Sequence, residues 1–519
     1  MTADAVVASC GATLEPLETA ANAAWWDANT DASDETQRRR ADADIALSDA
    51  LADPDAFAAV RAAQSESGLD PLVARQLEVL VQGFTPNQVA ADLRREIVEL
   101  QSNIESRFAR YRGEIDGVAV DDNEILEVLR TSADAAHRHA AWEASKSVGA
   151  EVAPDVRELA RLRNRAAASV GYRDHFALAL AMTDFDEERL FATLDEVDEL
   201  TAAPFRALKA QLDEQVATRF GVDIAALRPW HYDDPFFQDA PSAIGVDLDP
   251  YLADADVDAL TVRTFDTIGL DVRGVLSRSD LVPRAGKSQH AFCIDVDRVG
   301  DVRVLSNNTP GERWAETMLH EFGHAVYFEG LSRDLPWLLR TMHICLTEAV
   351  AMRCGRLVRD PRWLRDIAGL PEPTVAQLAP RLRAASRAYL LIFARWVLVM
   401  THFERGLYAQ PDADHDARWW DLVERYQLVH RPDDRHAPDW AAKIHIAAAP
   451  VYYHNYLFGE MIASQIAATF GGLVGDADSG RALASRMFAP GATRRWDHLV
   501  EAATGSALTP AVFAGDLAH

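Results

Sequence analysis

Two histidines four residues apart, with a glutamate beside the first, stand in the stretch MLHEFGHAVYF at residues 318–328: His320, Glu321 and His324. On a helix, positions i and i+4 share a face, so both imidazoles can reach one metal ion. Glu321 is turned by about 100° from its neighbour and cannot join them as a ligand. Its carboxylate can still reach a water activated by that ion and serve as its base. The chemistry therefore needs this stretch to be helical, and the flanking residues of NNTPGERWAETMLHEFGHAVYFEG predict that it is. Thr309 is a good N-cap, Pro310 suits the first helical position, Glu312 completes a capping box, and Gly330 is a plausible stop.

Hydrolytic zinc takes three protein ligands and keeps one position open. Downstream, ICLTEAVAMRCGRL reads as a second helix with a single acid, Glu348, among apolar residues. A lone buried carboxylate is costly unless something satisfies it. A metal would do so; Arg353 or Arg356 are the other candidates, and His343 is a competing ligand. The expected set is His320, His324 and Glu348, holding one zinc ion per chain.

Most of the remaining sequence has helical periodicity, rich in Ala, Leu, Arg and Glu. Breaks are expected near ADPDAF and GFTPNQ and again near Gly149 and Gly171, and residues 229–250, rich in Pro and Asp, read as a loop. Only residues 290–296 and 302–306, joined by DRVGD, read as strands, forming a hairpin immediately before the motif helix. A net charge of −28 argues against nucleic-acid or anionic-membrane partners. The strongest apolar run, residues 388–400, is thirteen residues long and contains Arg395. That falls short of the roughly 20 residues needed to span a bilayer. Four scattered cysteines and an N-terminus without a basic, apolar signal pattern predict a cytoplasmic protein. The chain has only four lysines, Lys146, Lys209, Lys287 and Lys443, which makes each worth locating. His415, His430, His436 and His519 are expected at the surface.

At this point the chain resembles a known family, the angiotensin-converting-enzyme-like zinc peptidases (gluzincins). It shares features with the related thimet oligopeptidase and oligoendopeptidase group. HEFGHAVYF, then DLP, then TEA, with Glu348 lying 24 positions after His324, is similar to that family's metal segment. AAWWDANTDASDE, AAWEASKSVG with LRNRAAASVGYRD, SQHAFCIDV and KIHIAAAPVYYHNYLFGEMIASQ resemble further family stretches, in the family's order. The resemblance implies an almost wholly helical, two-lobed ellipsoid with a deep central cleft and a small antiparallel sheet at the active site. It divides the chain into lid-like helices (1–113), a helical lobe (114–289), the hairpin and zinc helices (290–358) and a C-terminal lobe with the substrate segment (359–519), all one catalytic unit.

The same resemblance implies that Glu321 is the general base and His445 the transition-state histidine. Tyr456 becomes the tyrosine that joins His445 if one residue is inserted before Tyr453. It also implies that His290 and the backbone of Ala291 bind substrate along a strand. Lys443, with Tyr453 as companion, would hold a substrate's C-terminal carboxylate. These roles make physical sense, because peptide hydrolysis creates an oxyanion that hydrogen-bond donors can stabilise.

Some positions depart from the family pattern. Met352 stands where an aspartate usually orients a ligand histidine, so another acid or a carbonyl has to take that part. Asn455 stands in place of a chloride-binding arginine, so chloride activation is not expected. The glutamine that usually helps to hold the terminal carboxylate has no clear match, and Tyr232 or His231 lie in that neighbourhood. The expected function is zinc-dependent hydrolysis of short peptides, as a peptidyl-dipeptidase or an oligoendopeptidase, by a monomer or weak homodimer. Two alternatives are a metal hydrolase of a non-peptide amide on the same scaffold and a catalytically idle peptide-binding protein. Retention of Glu321 and all three ligands weighs against the last.

Overall fold

The computed structural model describes residues 1–241 and 244–518. Helices carry most of the chain, and the described residues hold two antiparallel hairpins of two strands each. The all-α expectation with a small sheet is met. The breaks expected near ADPDAF and GFTPNQ are present: Asp53 caps the helix Pro54–Gln64, and Thr85–Asn87 form a 3-10 turn.

The first four helices, Ala3–Thr30, Asp34–Leu51, Pro54–Gln64 and Pro71–Phe84, enclose a small apolar cluster around Leu77, Leu80 and Phe84. From Ile104 to Leu517 the chain shares one continuous core. An ion pair ties the two together: Arg75 meets the Asp184 carboxylate at 2.6 Å, with both side chains less than one-tenth exposed. Gln82 donates to the same carboxylate at 2.6 Å. Asp184 has φ +55°, in the left-handed region that aspartate tolerates better than most residues.

Two expectations about the backbone are corrected. Gly149 does not break its helix, which runs from Ala135 to Ser169. A Cβ there would lie 2.5 Å from the Pro438 carbonyl oxygen, so glycine serves close approach rather than a stop. The sequence reading also missed a hairpin, β1 (Gly113–Ile115) and β2 (Val118–Val120). Its turn is Asp116–Gly117, both at positive φ, the type that twists with the strands it joins. The second hairpin falls where expected, as β3 (Phe292–Asp295) and β4 (Val302–Leu305), with Cys293 opposite Val304.

The motif helix spans Glu312–Gly330 and ends at the expected glycine. Its start differs. Thr309 and Pro310 remain outside, and Gly311 takes the cap position at φ +132° without a side-chain cap of its own. The cap comes instead from 63 residues upstream: the Glu312 N–H donates to Asp249 Oδ1 at 2.8 Å. Leu248 N–H donates back to Glu312 Oε2 at 3.4 Å. A tertiary pair thus does what the local box was expected to do. The apolar run 388–400 lies inside the helix Glu372–Ala409, which is long and apolar enough to cross a membrane but is mostly buried in the protein. Arg395, in the middle of that run, is paired with Asp198.

Candidate metal centre and its cleft

Three helices set the site. The motif helix packs on Ile344–Gly355, which packs in turn on His454–Phe470. Gly323, inside the HEFGH stretch, allows the first contact: a Cβ there would lie 2.7 Å from Ala351 Cα. Gly459 allows the second, where an added Cβ would meet Glu348 Cβ at 3.4 Å. Small residues at both crossings bring Glu348 over the two histidines.

One potential ligand atom from each of His320, His324 and Glu348 lies within 4.8 Å of the other two. His320 Nε2 is 3.8 Å from Glu348 Oε2. Tetrahedral zinc holds its ligand atoms roughly 3.4 Å apart, so adjustments of about an ångström complete the set. The electrostatics suit a dication. Burial pushes His320 down to about 4 and His324 well below its ordinary value, so both imidazoles are neutral and offer a lone pair at pH 7. Burial pushes Glu348 up to about 7 against the hydrogen bond it accepts from Tyr452. A buried carboxylate beside neutral imidazoles is a donor set that a cation stabilises. Neither arginine weighed as a partner for Glu348 takes it, since Arg356 pairs with Glu460 and Arg353 reaches the Gly471 carbonyl. His343 caps the Ile344–Gly355 helix and contacts the Thr183 carbonyl at 2.6 Å, outside the cluster.

Glu321 is buried against the hairpin. Burial and the neighbouring Glu348 carboxylate push it up to about 8, and the Cys293 N–H of β3 donates to it and works the other way. His290, exposed, and Ala291, half-buried, immediately precede β3.

A cavity of about 510 Å³ opens on two of the three candidate metal residues and is lined by His320, Glu348, Lys443, His445, Tyr453 and Tyr456 among others. His445 and Tyr453 have ring centroids 5.2 Å apart, and Tyr453 and Tyr456 5.7 Å. Burial and nearby Lys443 push His445 down to about 4, leaving a neutral ring whose buried Nδ1 has no hydrogen-bond partner among the described residues. In the stretch before Tyr453, where the resemblance requires an extra residue, Val451 stands at φ +55°, a conformation a β-branched residue rarely adopts. The buried Glu404 carboxylate holds it, accepting the Val451 N–H at 2.8 Å.

Sequence reasoning missed three residues here. Thr347 Oγ1 lies 2.7 Å from His324 Nδ1 and supports that ring, where an acid or carbonyl had been expected. Its adjacency to Glu348 was the available signal. Tyr452 donates to Glu348 Oε1 at 3.3 Å. Gln238 Oε1 accepts from Lys443 Nζ at 2.8 Å. Gln238, in PFFQ, thus stands where Tyr232 or His231 had been offered. Tyr232 is instead buried with Lys209 and Asp213, and the His231 ring stays beside the Arg228 backbone. Of the histidines expected at the surface, His430 and His436 are exposed and His519 lies outside the described residues. His415 is fully buried beside Phe403 and Trp440, because it opens a helix packed on the core.

Residues 1–228 match the family model described as angiotensin-converting enzyme. No curated protein matches the chain. The matched stretch ends upstream of the motif helix, so the candidate metal residues lie outside it. Over that stretch, less than half of the chain, the sequence is similar to the angiotensin-converting-enzyme family.

Proposed function

We propose that the protein hydrolyses peptide bonds in short, unstructured peptides, with zinc held by His320, His324 and Glu348 and with Glu321 as general base. The observation that carries this reading is the convergence of two imidazoles and one buried carboxylate beside a second buried carboxylate that pairs with no arginine or lysine among the described residues. Bound there, zinc would supply the Lewis acidity that polarises a scissile carbonyl and acidifies an attacking water.

The chain's own groups supply the rest. The Glu321 carboxylate accepts the water's proton and later passes it to the leaving amine. His445 and Tyr456, on the wall shared with His320 and Glu348, are positioned to donate to a developing oxyanion. The backbone at His290 and Ala291, immediately before β3, can hold an extended peptide by main-chain hydrogen bonds.

The test is metal content together with mass-spectrometric digestion of a mixed peptide library, wild type beside Glu321→Gln. One zinc per chain, with cleavage that the substitution abolishes, is the expected result. Bound zinc without cleavage of any peptide would favour a non-peptide amide as substrate. Absence of zinc would overturn the metal site.

A further inference from the structure

Beyond the candidate metal residues, five charged side chains line the cavity: Asp239, Glu316, Arg356, Lys443 and Glu460. Four of them compensate one another. Arg356 pairs with the buried Glu460. Burial opposes the charge on both Lys443 and Asp239, Asp234 raises Asp239 further, and each of the two favours the other's charged form. Glu316 is left over. Arg359, the other guanidinium close to it, is paired with Glu312 at 2.7 Å. Glu316 makes no hydrogen bond or ion pair among the described residues and is exposed on the cavity lining. Enough protein surrounds that opening to raise its carboxyl, against Arg359 and Arg356.

Position and neighbours give this carboxylate a use. Four residues before His320 on the motif helix, Glu316 shares the face of that candidate ligand and lies about 6 Å from it along the axis. An extended peptide covers that distance in about two residues. Tyr389 and Phe393 line the same cavity, stacked with ring centroids 5.6 Å apart and planes at 8°. Phe393 in turn meets Tyr456 at 6.1 Å. Burial raises the Tyr389 hydroxyl, with Asp239 and Glu316 adding to the rise and Arg356 opposing it, so the ring stands among these charges. Tyr389 is 38% exposed, which leaves it free to receive a ligand group. An open aromatic ring beside an unpaired carboxylate suits a guanidinium, which stacks on one and donates in pairs to the other.

We infer that Glu316 determines specificity by receiving a basic side chain, arginine before lysine, from a substrate residue within two positions of the scissile bond, with Tyr389 as the surface on which it stacks. The preferred substrates are then basic peptides, and an acidic residue at the same position is rejected. This rests on the peptidase reading above.

The experiment uses the full-length, zinc-loaded protein and matched peptides of about ten residues. Each position around one cleaved bond carries in turn arginine, lysine, glutamate or citrulline, the neutral isostere of arginine. Fragments are identified by mass spectrometry, and kcat/KM is measured at pH 8 for each peptide. At one position within two of the bond, arginine is expected to exceed citrulline at least tenfold, with glutamate poorer than either. Glu316→Gln should bring the arginine-to-citrulline ratio below about threefold while metal analysis still finds one zinc per chain. An arginine-to-citrulline ratio under threefold at every position in wild type, or a preference for glutamate, would overturn the inference and leave the peptidase intact. So would an arginine preference that survives in folded Glu316→Gln. Should that variant not fold, the wild-type ratios decide by themselves. No hydrolysis of any peptide would overturn the peptidase reading, and this inference with it.

Discussion

Thr347 and His324 are joined by a 2.7 Å contact between the hydroxyl oxygen and Nδ1. With Nδ1–H donating to Thr347, the Nε2 lone pair is left for a metal, so the contact sets tautomer and ring orientation together. One helix thus presents two consecutive residues to the centre: Thr347 steadies one candidate ligand and Glu348 is another. No described residue hydrogen-bonds His320 in the same way, and Met352 cannot. Thr347→Val, similar in shape but without the hydroxyl, is expected to weaken zinc binding about 10–100-fold. Thr347→Ser should retain most of it. Chelator competition measures both without reference to activity.

Gly323 carries a packing constraint inside the motif. Alanine there would push a methyl against the Ala351 backbone at 2.7 Å. Neither helix backbone can yield cheaply, so Gly323→Ala should cost about 1–3 kcal/mol and separate Glu348 from the histidines. A lowered Tm with weaker zinc affinity is the expected pair of results. An unchanged affinity would show that the helices adjust without moving the ligand.

Glu404 gives stability a pH dependence of definite sign. Burial pushes its carboxyl up to about 8, against the Val451 N–H and Arg163. An unfolded glutamate titrates at about 4.3. Between these values the folded protein holds a proton that the unfolded chain has lost, so this group's contribution falls as pH rises through the window. Glu404→Gln keeps an acceptor for Val451 and removes the titration. Its Tm relative to wild type should therefore rise from pH 5 to pH 8, as thermal unfolding at the two pH values would record.

Asp184 neutralises Arg75 where the N-terminal helices meet the main core. Asp184→Asn tolerates the same left-handed backbone but leaves a buried guanidinium with the part-exposed Glu78 as its one acid partner among the described residues, beside the Ala492 carbonyl. A loss of about 3 kcal/mol is expected. It should be visible as proteolysis within residues 1–84 at protease levels that spare wild type. Equal resistance in both proteins would mean the ion pair does not secure that layer.

The helical character, the hairpin before the motif helix, and the membership of His320, His324 and Glu348 in one donor set were all legible in the chain. Each depends on short-range regularity, such as i and i+4 sharing a face or a lone acid in an apolar helix. The hairpin around Asp116–Gly117 was legible too, in EIDGVAV, and was overlooked because its strands have only three residues each.

What the sequence by itself determined is therefore the reagents and the elements that carry them. Tertiary structure alone decided which groups support those reagents. Glu312 is capped by Asp249, Val451 is held by Glu404, and Lys443 meets Gln238, in pairs 47 to 205 residues apart. Even Thr347, beside Glu348 in sequence, acts on a histidine of another helix. The reason is physical. A buried polar group must find a partner, but any compatible donor or acceptor that the fold brings within about 3 Å will serve. Local pattern names the group that needs a partner; only the packing of glycine-lined helices selects which residue answers.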